Sequence, residues 1–168
     1  MAWTFKRVAA RAVLLDRSGF VYLIHARDPG DAGKGTWWEI PGGGIDPGET
    51  SLEAAHREVV EESGIHDVEM GPCVWWQHVE YDFGGYHFDQ DEYIHVAWAD
   101  RNSAVGAKHL EALEAIAFIE SRWWTLDELI DAEIQTLPTR MREFLPALME
   151  GTIPDSPLDV TGPALGGS

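Results

Sequence analysis

Residues 43–65 read GGIDPGETSLEAAHREVVEESGI, and this stretch decides how the rest of the chain is understood. Its Pro/Gly-rich opening ends at Thr50, and Thr50 with Glu53 makes the capping-box pattern that starts a helix. Gly64 stands where a left-handed C-cap belongs, so a helix is predicted over residues 50–63. At about 100° per residue, Ala55, His56, Val59 and Val60 join Leu52 in one apolar stripe. Glu58, Glu61 and Glu62 fall on the other side, at about 240°, 180° and 280° from Leu52. Like charges three and four residues apart repel, and the helix dipole disfavours anions near the C-terminal end. Carboxylates in so poor a place call for a compensating cation, the bland alternative being a solvated acidic face. Oxygen-only ligands favour Mg²⁺ or Mn²⁺ over zinc.

Outward from the helix, strands surround it. Towards the N-terminus, Val8, Ala10, Ala12 and Leu14 alternate as in a strand with one buried face. A turn at residues 16–19 leads to a second strand over 20–25. Residues 28–35 form a Gly/Asp/Pro loop, and a short strand over 37–40 runs into Pro41 and Gly42–Gly44, where both regular structures break. Beyond the helix, strands are expected over 68–81, 93–100 and 115–125, with a turn at 83–86 and a polar connection over 101–114. A helical turn over 126–130 and a closing helix over 138–149 follow, with Pro138 in the first turn. This order predicts one mixed α/β (α+β) domain over residues 1–150. From Gly151 the composition predicts a flexible tail whose removal leaves activity in place.

Composition narrows the class. The 168 residues carry a formal charge of −17, from 29 acidic against 12 basic side chains, so a general nucleic-acid binder is not expected. Cys73 is the sole cysteine, which excludes an intramolecular disulfide, and the seven histidines lack zinc-ligand spacing. No apolar run reaches membrane-spanning length and residues 1–6 lack a signal-peptide core, so a cytoplasmic protein without a membrane partner is the default expectation.

The stretch can also be written as Gly43, five residues, Glu49, seven residues, then Arg57-Glu58-Val59-x-Glu61-Glu62-x-Gly64-Ile65. This resembles the Nudix box of the Nudix hydrolase superfamily at all nine defined positions. WEIPGG at residues 38–43 and RWWTLDEL at residues 122–129 resemble the family's strand before the box and its late strand with helix start. The resemblance implies an α/β/α sandwich around a mixed sheet, and Mg²⁺- or Mn²⁺-dependent cleavage of a diphosphate linkage. It makes Glu61 and Glu62 the main metal ligands and Glu58 a further ligand or the base that activates water. It implies that the carbonyl of Gly42 also binds the metal, glycine letting the backbone turn to the ion. Arg57 and Glu49 would orient the glutamates. One further carboxylate from a later loop is expected to act as base or ligand, with Glu120 the first candidate and Glu92 the second.

Substrate is less legible. Trp37, Trp76 and Tyr81 are the aromatic candidates for stacking on a nucleobase. Tyr81 stands sixteen residues past the box, as in the diadenosine-polyphosphate group. The expected substrate is a small nucleoside diphosphate joined to another moiety, such as a dinucleoside polyphosphate. The alternatives are a house-cleaning nucleoside triphosphate pyrophosphohydrolase and a non-catalytic Nudix-fold ligand-binding module, which commonly loses box glutamates that are all kept here. An isopentenyl diphosphate isomerase is disfavoured because Cys73 lies downstream of the box. Since many Nudix relatives are dimers, a homodimer is an expectation of the resemblance alone.

Overall fold

A computed structural model describes residues 3–103, 110 and 112–163. Its spine is β1 (Thr4–Asp16), which forms a hairpin with β2 (Phe20–Arg27) and runs parallel to β6 (Tyr86–Trp98). The mixed sheet continues from β2 to β3 (Thr36–Glu39) and β8 (Thr136–Leu137), and from β6 to β5 (Glu69–Phe83) and β9 (Leu158–Asp159). Two strands leave this path: β4 (Gly42–Gly44) pairs with β1, and β7 (Phe118–Thr125) pairs with β2.

Both faces of this sheet are covered. On one side Val13, Leu15, Trp75, Ile94 and Val96 pack against Leu129, Met141, Leu145 and Leu148. Those four come from α3 (Leu126–Asp131) and α4 (Met141–Met149). On the other side Ala10, Ala12, Leu14 and Ala97 meet Ala54, Ala55 and Val59 of α1 (Ser51–Ser63). The expected α/β/α arrangement is therefore present. Side chains alternate along β1, so both of its faces feed a core rather than the single one expected. Alanines on the α1 side let the helix lie close to the strands.

The helix itself begins and ends where its sequence signals stand. The Thr50 side chain accepts from the Glu53 N–H, Glu53 reaches back to the Thr50 N–H, and Gly64 takes φ 75°. Its orientation differs from the apolar-stripe expectation. Leu52 is 41% exposed, whereas Ala54, Ala55, Glu58, Val59, Glu62 and Ser63 are buried. The sheet-facing side thus includes two of the glutamates expected opposite the apolar stripe.

Other boundaries shift for local reasons. Residues 42–44 are not a break but a strand, because β1 offers a ladder to Gly42–Gly44 in register with Arg11, Ala10 and Ala9. β5 and β6 extend beyond the expected spans to meet at the Gly84–Gly85 turn, whose residues take φ 60° and 85°. Residues 115–117 are not strand: ALEAIA forms α2 (Ala112–Ala117) before β7 begins. Within the expected polar connection, 104–109 and 111 lie outside the described residues. α4 starts at Met141, three residues after Pro138.

The largest correction concerns the segment after Gly151. β9 pairs in parallel with β5, the Val160 N–H bonds to the Trp76 carbonyl, and Val160 is fully buried in the core. An apolar residue at 160 is worth docking even in a polar stretch, a signal too short for periodicity to register. Val160→Ala is expected to cost about 1–3 kcal/mol, the loss of two buried methyl groups and the gap they leave. Urea unfolding of the full chain checks it, and a midpoint equal to wild type would mean the segment is not packed there.

Candidate active site

α1 and β4 build the site together. On the sheet-facing side of α1, Glu58 and Glu62 are 5% and 6% exposed. The Gly42 N–H donates to Glu62 Oε2 at 2.8 Å. A Cβ at Gly43 would lie 2.5 Å from Glu58 Oε1, so any larger residue there would displace that carboxylate from its present position. At Gly42 a Cβ would overlap Arg11 on β1, so close strand packing by itself demands glycine there.

Arg57 ties the outer edge. Its Nε and Nη2 donate to the two oxygens of Glu49 at 2.8 and 2.9 Å, and Nη2 also reaches the Gly44 carbonyl at 3.1 Å. Nη1 donates to Glu58 Oε1 at 3.0 Å and to Glu61 Oε2 at 3.3 Å. Such fork geometry suits guanidinium and fixes the glutamates relative to the loop before the helix. Hydrogen bonds from Arg57 pull the Glu49 pKa down to about 2.

A third carboxylate comes from α2. Glu114 brings an oxygen to the inner pair, and ligand atoms of Glu58, Glu62 and Glu114 all lie within 4.8 Å of one another. Glu61 is turned to Arg57 and stands outside this trio. Sequence reasoning missed Glu114 by reading its surroundings as a connection and a strand. The run of helix formers at 112–117 was the available signal.

Neither candidate for the later carboxylate joins the trio. Glu120 on β7 stands across from His25 on β2, its side chain 60% exposed, with His25 Nδ1 3.9 Å away. Glu92 is buried in a network instead, accepting from Arg11 Nε at 2.8 Å, Gln77 at 2.7 Å and Gln90 at 2.6 Å.

The inner carboxylates resist ionising. Burial, then the charge of Glu114, pushes the Glu58 pKa up from 4.5 to about 7, and burial with the charge of Glu58 raises Glu62 well above its ordinary range. Glu58 Oε2 is buried without a hydrogen-bond partner. An orphaned oxygen on a carboxylate that is grouped with two others fits a hard divalent cation.

Beside the trio opens a cavity of about 480 Å³. Glu62 and Glu114 line its acidic end, and Arg7 and Arg11 line the wall. Trp37, Phe83, Leu113 and Phe118 make an apolar region, and Tyr81 lies stacked on Phe88 with ring centroids 5.2 Å apart. Of the aromatic candidates, Trp37 and Tyr81 line this cavity and Trp76 does not.

A NUDIX domain model matches residues 5–148. The chain belongs to the Nudix family. It is similar to an RNA pyrophosphohydrolase of Helicobacter pylori (strain ATCC 700392 / 26695), 37% identical over 91 residues, covering 49% of this chain and 57% of that protein. An RNA pyrophosphohydrolase of Erythrobacter litoralis is 44% identical over 59 residues, 35% of this chain and 34% of that one. The chain thus spans between about a third and somewhat over half the length of these curated relatives. Among solved structures, an Ap4A hydrolase of C. elegans in a binary complex shares the fold with a TM-score of 0.57 at 21% identity, covering 86% of this chain and 98% of that one. The MutT protein of Methanosarcina mazei Go1 does so with 0.56 at 20%, covering 87% and 94%.

This Nudix site carries a pH signature. Unfolded, Glu58 titrates near 4.5; folded, it holds its proton to about 7, so the folded chain binds more protons between these values. Stability of the chelator-treated protein is therefore expected to fall as pH rises from about 4.5 to 7, Glu62 adding to the same trend. Chemical denaturation in EDTA across this range checks it, and Glu58→Gln is expected to flatten the slope. A stability that rises through the window would show that these carboxylates ionise freely.

Proposed function

We propose that this chain hydrolyses the diphosphate linkage of a small nucleoside diphosphate joined to another moiety, with Mg²⁺ or Mn²⁺ held by Glu58, Glu62 and Glu114. The observation that carries the reading is the buried trio with its orphaned oxygen at one end of a cavity that also offers guanidinium groups and an aromatic wall. When bound, the ion lowers the pKa of a water molecule and neutralises charge on the phosphate oxygens.

The chain's own residues supply orientation. Arg57 keeps Glu58 and Glu61 in place through its anchor on Glu49, and the Gly42 N–H fixes the rotamer of Glu62. Water adds to one phosphorus and the bridging P–O bond breaks. Glu58, with one carboxylate oxygen that has no hydrogen-bond partner at the trio, is suited to take up the proton that water loses. Arg7 and Arg11 supply positive charge for the phosphate that does not sit at the trio. Trp37 and Phe83, with ring centroids 6.3 Å apart, give the organic half an apolar place to rest.

A small substrate suits the charge. Glu80 and Asp82 join His78 and His87 on the cavity lining, so a long polyanion leaving the cavity on that side would meet carboxylates as well as histidines. The second reading, pyrophosphate hydrolysis on RNA, is favoured by the likeness to RNA pyrophosphohydrolases.

A screen at fixed Mg²⁺ is expected to show dinucleoside polyphosphates and nucleoside diphosphate conjugates turned over faster than nucleoside triphosphates or 5′-triphosphate RNA. Preference for the RNA would overturn the small-substrate reading, and tight binding without turnover of any of them would favour a non-catalytic module. On the best substrate, Glu62→Gln is expected to lower kcat by at least about 10²-fold, with Glu120→Gln within about twofold of wild type. The reverse ranking would return the later carboxylate to Glu120.

A further inference from the structure

Three segments meet beside the carboxylate trio: the β2–β3 loop, the β5–β6 turn and α2. Asp28 lies at their junction, 3% exposed. Its Oδ1 accepts from the Gly30 N–H at 2.8 Å and from the Gly84 N–H at 2.9 Å, and its Oδ2 accepts from Lys34 Nζ at 2.6 Å. Lys34 Nζ also donates to the carbonyl of Asp82, so the clamp grips the turn from two sides. Packing is as close as the bonding. A Cβ on Gly30 would come 3.1 Å from the Gly85 nitrogen, and one on Gly84 would come 3.1 Å from both terminal carbons of Leu113.

Leu113 is followed by Glu114. The helix that carries both has six residues, too few to hold itself, so its position is set by what it packs against. The seat of Leu113 is the Gly84 side of the turn that Asp28 holds.

We propose that Asp28 is a positioning residue for the metal site: by clamping the β5–β6 turn to the β2–β3 loop it fixes the seat of Leu113 and thereby holds Glu114 against Glu58 and Glu62. The inference rests on the reading of the trio as a metal site. A carboxylate is required because its two oxygens serve three donors, one of them an ammonium; an asparagine has one acceptor oxygen and turns an NH₂ group to one of those donors.

Mn²⁺ titration of the full chain, followed by the electron paramagnetic resonance of the free ion, tests the proposal without any substrate. Asp28→Asn and Glu114→Gln are each expected to weaken Mn²⁺ binding about tenfold. The double variant is expected to bind as weakly as Glu114→Gln alone, because the first residue acts through the second. Losses that multiply in the double variant, or wild-type affinity in Asp28→Asn, would overturn the proposal. Should Asp28→Asn fail to fold, Lys34→Met removes one donor while keeping the carboxylate. It is expected to weaken Mn²⁺ binding in the wild-type background and to change nothing in Glu114→Gln; any other pattern counts against the clamp. Glu62→Gln separates the two levels of inference. Wild-type Mn²⁺ affinity there removes the metal site itself, whereas loss there with Asp28→Asn unchanged removes the clamp alone.

Discussion

Burying a carboxylate against a sheet costs several kcal/mol unless a cation or hydrogen-bond donors meet it, and α1 places two there. Glu62 has the Gly42 amide and Glu58 has Arg57, yet Glu58 Oε2 is left with no partner and the two acids also face Glu114. Much of the surrounding structure follows from keeping these groups together. β4 must be glycine at 42, where it packs against the backbone of β1, and Arg57 must be an arginine to reach Glu49, Glu58, Glu61 and the Gly44 carbonyl at once. Alanines on β1, β6 and α1 bring the helix down onto the strands, which is what takes the acids out of water.

The box helix was legible in sequence to its end residues because its signals are local: a capping box, a C-cap glycine, and acids at fixed spacing. Its orientation was not. Leu52 draws the apolar stripe towards itself when residues are weighed by hydropathy, but the sheet selects the face by shape, and small Ala54 and Ala55 fit where Leu52 does not. Arg57 and Glu49 were expected to orient the glutamates, although their bond to each other and the reach of Arg57 to four groups were not. Glu114 was hidden because a six-residue helix leaves no periodicity, and because proximity to Glu58 and Glu62 is a property of the fold across more than fifty positions of sequence. Glu120, by contrast, looked well placed beside the late strand, and strand pairing put it across from His25 instead. Trp76 was indistinguishable from Trp37 by composition; cavity walls are decided by tertiary placement.

Charge shows the same division between what totals and positions can say. A net −17 argues against a polyanionic partner in bulk, yet Arg7 and Arg11 both line the cavity beside the carboxylate trio. Both arginines are themselves held by polar side chains of β6: Arg7 Nε bonds to Gln90 at 2.7 Å and Arg11 Nε to Glu92 at 2.8 Å. Gln90 also donates to Glu92, so the two guanidinium groups belong to one bonded row on neighbouring strands. Positive charge here is rigid and directional, which a sequence total cannot express.

The parallel pairing of β1 with β6 carries a consequence for biosynthesis. Thr4 to Leu15 are in register with His87 to Trp98, so the strand that both cores share finds its long partner only after more than eighty further residues have been made. As the chain emerges from the ribosome, β1 can zip to β2 at once through their tight turn, but its other edge stays open until β6 arrives. An exposed edge rich in Ala, Val and Leu is one that gains from shelter during synthesis, and pairing across that sequence distance carries a loop-closure cost that a hairpin does not.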